Sequence, residues 1–206
     1  TINFKSAEKC ANYFYPALKS GDRLEHHATH AAGLRMWVDV AKGYWHSISN
    51  KEYRGVTGVE FALTSRADDL QSETNRLNAA GINTVFNSFG TGFRAWGNRN
   101  ASWPVNTHIS NFAVAYRTGN FIDEGIRRAE FKYVDQPIDD ALIDAFIEDI
   151  RIDLSGCQAI VGFDVGLDYE YDVADAFSKG QVPLVYDYTP KLPAERISNN
   201  SVMTRK

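Results

Sequence analysis

The sequence predicts an α/β protein: a mixed β-sheet flanked by helices, folded as one domain, with an extended C-terminal arm. Three observations carry this. Strand-like and helix-like stretches alternate along most of the chain. The clearest helix, Asp139 to Leu154, places Ile138, Leu142, Ile143, Phe146, Ile147, Ile150 and Leu154 on one stripe, and the apolar run CQAIVGFDV follows it directly. After Tyr188 the chain meets Pro190 and Pro193 and then offers few apolar residues, so that segment builds no core of its own. The expected partition is a core domain over 1–190 and an arm over 191–206.

From the N-terminus, ANYFYPAL reads as a short aromatic strand ended by Pro16. Ser20-Gly21-Asp22 offers polar N-cap candidates for a helix running to about Ala41 and stopped by Gly43. The stretch from Gly43 to Leu63 reads as loop and then strand, with Gly55 and Gly58 in turns. A helix from about Ala67 to Ala80 ends at Gly81, which tolerates the left-handed conformation. INTVFNSF is a strand, Gly90-Thr91-Gly92 a tight turn, and FRAWGNR its partner. The pattern from Asn111 to Lys132 is helical until Pro137 breaks it. Past the 139–154 helix, Gly156 closes the turn and CQAIVGFDV is a buried strand. A short acidic helix covers Tyr171 to Ser178, and VPLVYDY is the last strand.

Composition narrows the function classes. The chain has 206 residues with a formal net charge of −4, so its overall field attracts neither nucleic acid nor an anionic membrane. No apolar run approaches the ~18 residues of a membrane span. Two cysteines far apart, Cys10 and Cys157, form no disulfide framework and suit a reducing compartment. The first residue is Thr1 and the last Lys206, and both ends read as cut from a longer chain.

Chemistry-bearing motifs are weak. In EHHATH, His26 and His30 stand four apart on one helix face, as zinc ligands do, but the glutamate of HExxH is missing, so a solvated or interface face is the better reading. The carboxylates Asp139, Asp140, Asp144, Glu148, Asp149 and Asp153, with Asp164, Asp168, Glu170 and Asp172 further on, are many. Hydrolysis needs two or three to converge in a cleft, whereas the helical set lies opposite the apolar stripe. An acidic helix face meeting a basic patch of another subunit fits better, with Arg127 and Arg128 the kind of partner it would want. In GTGFRAWGNRNAS no Lys-Ser or Lys-Thr follows the second glycine, and neither G-x-S-x-G nor a Walker pattern occurs, so Gly90 to Gly92 shape a hairpin rather than cradle phosphate. The tail either frays or lies on a neighbour, where an extended arm can add a strand to a sheet edge.

Several runs in order then resemble one family. GYWHSISN with GVTGV, LNAAGINTV, GFRAWGNR, AYRT, VDQPI and YDYTP are similar to the C-terminal half of the contractile tail sheath proteins of myophages, a group that includes prophage and contractile bacteriocin sheaths. The resemblance implies a structural subunit without cofactor or catalytic residues. Such subunits form hexameric rings stacked as a helical sleeve around the tail tube, and the sleeve contracts to drive the tube through the host envelope. Expected partners are other sheath subunits, the tube protein, and baseplate and terminator proteins, with neither nucleic acid nor membrane. The expected location is the virion tail, and the host cytoplasm during assembly. Family members carry one more apolar strand after the segment matching NNSVMTRK, so the arm reads as truncated and the fragment as unable to polymerise normally. The interface residues expected on this reading are Lys191, Leu192, Ile197, Val202 and Met203 of the arm, with Asp139, Asp140, Asp144, Glu148, Arg127 and Arg128. Two other classes stay open: an α/β hydrolase or phosphate-binding enzyme using Asp139, Asp140 or Asp168, and a monomeric binding module of the tail.

Overall fold

The computed structural model describes residues 9–66, 68–87, 90–197 and 199–204. Expected as one domain over 1–190, the described residues fall into two compact units. The first runs up to Ala113 and takes in the chain from Leu192 on; the second is Val114–Lys191. The α/β class holds, but the strands are shared among three small sheets instead of one. Alternating apolar patterns mark where strands form, whereas pairing depends on long-range packing that periodicity does not encode.

In the first unit, β1 (Tyr13–Phe14) lies parallel to β5 (Ile82–Phe86), which pairs antiparallel with β6 (Arg94–Trp96). The second sheet sets β2 (Leu18–Ser20) between β3 (Arg23–Glu25) and β4 (Gly58–Val59). Its first hairpin corrects one expectation. Ser20-Gly21-Asp22 does not cap a helix: Ser20 pairs with Arg23, and Gly21 at φ +60° opens the two-residue turn. Pairing on both sides of β2 outweighs the local capping signal, and α1 starts only at His27, running to Lys42. Leu18, Tyr53, Val85 and Ala95 form the core, with Leu34, Val59 and Phe93 packed against them.

The helix expected from Ala67 is shorter. Ala67 lies outside the described residues, and α2 spans Glu73–Ala79. The preceding acidic residues form turns instead: the Asp69 carboxylate accepts from the Gln71 N–H at 2.8 Å, a local bond that competes with helix. The β5–β6 hairpin stands as expected, although Ser88 and Phe89, the end of the expected strand, fall outside the described residues.

In the second unit, α3 (Ala113–Glu130) continues from the end of the first and α4 (Asp140–Ser155) follows the break at Pro137. Asp139 is the N-cap of α4, its carboxylate accepting from the Leu142 N–H at 2.7 Å. Then come β7 (Ile160–Leu167), α5 (Val173–Ser178) and β8 (Leu184–Pro190), with β7 and β8 antiparallel. Ile122 and Ile126 of α3, Ile150 and Leu154 of α4, and Ile160 and Val165 of β7 form one buried cluster. Two helices thus cover one face of a two-stranded sheet.

Candidate assembly interface

Arg99, the last residue of GFRAWGNR, organises the root of the arm. Its guanidinium carbon sits 4.4 Å from the Trp103 ring centre and 3.7 Å from that of Phe112, and an Nη donates to the Asn111 side-chain oxygen. The remaining edge of the fork meets the arm: Nε donates to Glu195 Oε1 at 3.1 Å and Nη2 to Oε2 at 2.5 Å. A planar fork between two aromatic faces is pre-organised for a bidentate carboxylate, a geometry lysine cannot supply. Backbone placement of Arg99 depends on Gly97 and Asn83. Asn83 Nδ2 donates to the carbonyls of Tyr13 and Arg99, and a Cβ on Gly97 would meet Asn83 Oδ1 at 2.4 Å.

Beyond Glu195 the described apolar residues of the arm are exposed. Ile197 is 80% exposed, Val202 73% and Met203 fully so. Leu192 is also exposed. Lys191, the last residue of the second unit, is tied down there, its N–H donating to the Ala159 carbonyl at 2.9 Å and its Nζ to that of Gln158 at 2.6 Å.

Among the described residues β7 and β8 pair as strands only with each other, so each has an edge without a partner strand. At Val165 of β7 side chains bind the backbone, the N–H donating to the Asp164 carboxylate at 2.9 Å and the carbonyl accepting from Arg151 Nη2 at 3.3 Å. Alternate β8 residues turn to the helices: the Tyr186 hydroxyl donates to Asp123 at 3.0 Å, and the Tyr188 hydroxyl would lie 2.8 Å from a Cβ on Gly119. Burial, with that hydrogen bond, pushes the Tyr186 phenol up to about 12. On the far face Val161, Val185 and the directly opposed carboxylates Asp164 and Asp187 are exposed. An open, partly apolar edge is the kind of surface proteins leave for strand addition.

The charged candidates separate in space. Asp140, Asp144 and Glu148 are exposed on α4, as the opposed stripe implied. Asp149 leaves that set: Lys132 and the Tyr133 hydroxyl both bind it, holding its carboxyl below the usual range. Arg127 and Arg128 are exposed on α3, and Arg128 pairs with Glu124 of its own helix at 2.8 Å.

The features that suggested enzyme chemistry have structural roles. His26 is the N-cap residue of α1, and His30 contacts Glu25 at 2.8 Å. The intervening His27, which sequence reasoning passed over, is the buried one, its Nε2 2.9 Å from the Tyr53 hydroxyl; burial lowers its pKa to about 4. Among the described residues no cluster of His, Cys, Asp and Glu has metal-binding geometry. At the glycine turn, the Glu52 carboxylate lies 3.2 Å from where a Gly92 Cβ would stand, so a phosphate there would face a like charge. Asp168 accepts from the Glu170 N–H in a turn.

Comparison with known proteins identifies relatives of this chain. Residues 1–101 match the phage tail sheath protein central domain. The tail sheath protein of Burkholderia phage BcepMu is 41% identical over 213 residues, covering 99% of this chain and 45% of that protein. A putative prophage major tail sheath protein of Pseudomonas aeruginosa strain UCBPP-PA14 is 30% identical, covering 82% of this chain and 43% of its own length. The chain therefore spans somewhat under half the length of these relatives. In fold it matches the contracted sheath complex of an extracellular contractile injection system (PVC) with a TM-score of 0.80 at 20% identity, over 96% of this chain and 57% of that one. Carrying the sheath central domain in its first half and matching a phage sheath protein almost from end to end, the chain belongs to the phage tail sheath family.

Proposed function

We propose that this chain is the folded block of a contractile tail sheath subunit. Copies join into a helical sleeve around a tail tube, bear on a baseplate, and contract to drive the tube through the host envelope. In this reading residues 1–190 form the block and 191–206 the tether, with the virion tail as the working location and the host cytoplasm as the place of assembly. The observation that carries it is an arm fixed at Glu195, its described apolar residues exposed beyond that point, together with a two-stranded sheet whose strands, among the described residues, have no further partner strand. An arm that adds a strand to the next copy's sheet makes a heterologous contact, which does not close on itself and so propagates as a helix. Main-chain bonds survive rigid-body rotation of the blocks, so the tether holds while side-chain contacts exchange between two arrangements.

The hydrolase reading has no comparable support: Asp139 is a helix cap, Asp140 lies on an open helix face, and Asp168 sits in a turn of another element. The test is expression of the full-length protein, with and without its tube protein, followed by electron microscopy. Helical sleeves are expected; a protein that stays monomeric at every concentration, with light scattering to match, overturns the proposal in favour of a simple binding module.

A further inference from the structure

The acidic face of α4 is only partly counter-charged among the described residues. Asp140 and Asp144 make no ion pair among the described residues, and Glu148 reaches only Arg151, at 3.8 Å. These carboxylates stand one helical turn apart, about 6 Å in rise at each step. Ala141, Ala145 and the 58%-exposed Ile152 run along their flank, giving a narrow apolar seam.

The first unit holds the opposite surface. A groove of about 500 Å³ opens between α1, residues 51–54 and β6. Leu34 and Trp37 give it an apolar side, and Lys51, Arg54 and Arg94 face Glu52 as three cations against one carboxylate. None of the three cations is in an ion pair among the described residues. Arg54 lies over the Trp37 ring at 5.8 Å, and Arg94 donates to the Asn50 carbonyl and to the Thr91 hydroxyl. Burial, then the nearby positive charges of Lys42 and Arg94, lowers the Lys51 pKa. Met36 and Val40 extend the apolar rim along α1, both largely exposed.

We infer that the groove of one copy receives the α4 acidic face of the next copy, Asp140 and Asp144 meeting Lys51 and Arg54 while Ala145 and Ile152 lie against Trp37. The groove has room for side chains and not for a whole helix, so α4 lies across its mouth. A net-acidic chain keeps three cations against one carboxylate in one place, and the same chain supplies Asp140 and Asp144 at helical spacing without an ion pair among the described residues. Because groove and helix are different patches, the contact is again open-ended, as a sleeve requires. This inference rests on the sheath reading above and replaces Arg127 and Arg128 with Lys51, Arg54 and Arg94 as the basic partner. Ion pairs at such a rim set partner choice and register more than affinity, which suits a surface that must release and re-form.

The experiment uses full-length protein and sedimentation of sleeves checked by electron microscopy. If the unaltered protein makes no sleeves, the sheath reading fails and takes this contact with it. If sleeves form, charge reversal tests the contact separately. Lys51→Glu with Arg54→Glu, or Asp140→Lys with Asp144→Lys, should each cut sedimentable protein by about tenfold or more, since facing like charges repel. All four changes together should restore sleeves. Sleeves that ignore either reversal, or a fourfold variant no better than the twofold ones, overturn it. Should a reversal disturb folding, a mixture of Arg54→Cys and Asp144→Cys proteins gives the second reading: an oxidised cross-link between the two is expected, and its absence overturns the contact.

Discussion

Replacing Glu195 by glutamine keeps the arm's shape and removes its charge, and so isolates the tie to Arg99. The two bonds measure 3.1 and 2.5 Å, with the Arg99 side chain 18% exposed and that of Glu195 30%. A hydrogen bond to a charged group contributes about 1.5–3 kcal/mol net, and a fully exposed ion pair no more than ~1. Partial exposure places this tie near 2 kcal/mol, which at ~1.4 kcal/mol per tenfold is roughly a 25-fold change in the open fraction of the arm. Trypsin cleavage after Arg196 reads that fraction when reclosing outruns cleavage. Glu195→Gln should therefore speed cleavage about 25-fold and lower the melting temperature by no more than roughly 4–8 °C. Arg99→Met should release the arm equally and lower the melting temperature further. It leaves the Asn111 oxygen buried without its donor, at ~1–3 kcal/mol, and strips the cation from two rings at ~0.5–1 kcal/mol each. At 2–4 °C per kcal/mol these two losses add a further fall of roughly 4–20 °C. Equal cleavage rates in all three proteins would refute the latch.

Three further outcomes follow from the same geometry. Gly97→Ala forces a Cβ within 2.4 Å of Asn83 Oδ1 at φ +136° and should destabilise by roughly 3 kcal/mol or more in a denaturant titration, combining backbone strain with disrupted Asn83 bonds. Ile150, with no exposed surface at the centre of the second unit, should cost ~2–5 kcal/mol as alanine. His27 has a folded pKa of about 4, depressed from 6.5. The unfolded chain thus binds the extra proton first, and stability that is complete above pH 6.5 falls as pH drops to about 4. The loss is roughly 3 kcal/mol at ~1.4 kcal/mol per pKa unit. His27→Gln should flatten that slope in pH-dependent melting.

Local chemistry made much of the second unit legible. The 139–154 stripe, the Asp139 cap and the break at Pro137 each act within a turn or two, and α4 forms where they put it. The first unit was harder. Ser20-Gly21-Asp22 carries the same residue types for a helix cap as for a hairpin, and only the distant β4 decides between them. Arg99 stood in a run that resembled the family, yet its partner lies 96 residues on, and no spacing announces the pair. The acidic face of α4 was readable from period alone. Its basic counterpart was not, because Lys51, Arg54 and Arg94 come together only when a loop and a strand meet beside α1.

The sheet edges decide most. A reconstruction of the assembled full-length protein at a resolution that traces backbone should reveal a strand from a neighbouring copy hydrogen-bonded along the outer edge of β7 or β8. A sleeve in which β7 and β8 keep only each other, both margins facing solvent, would contradict the joining mechanism outright.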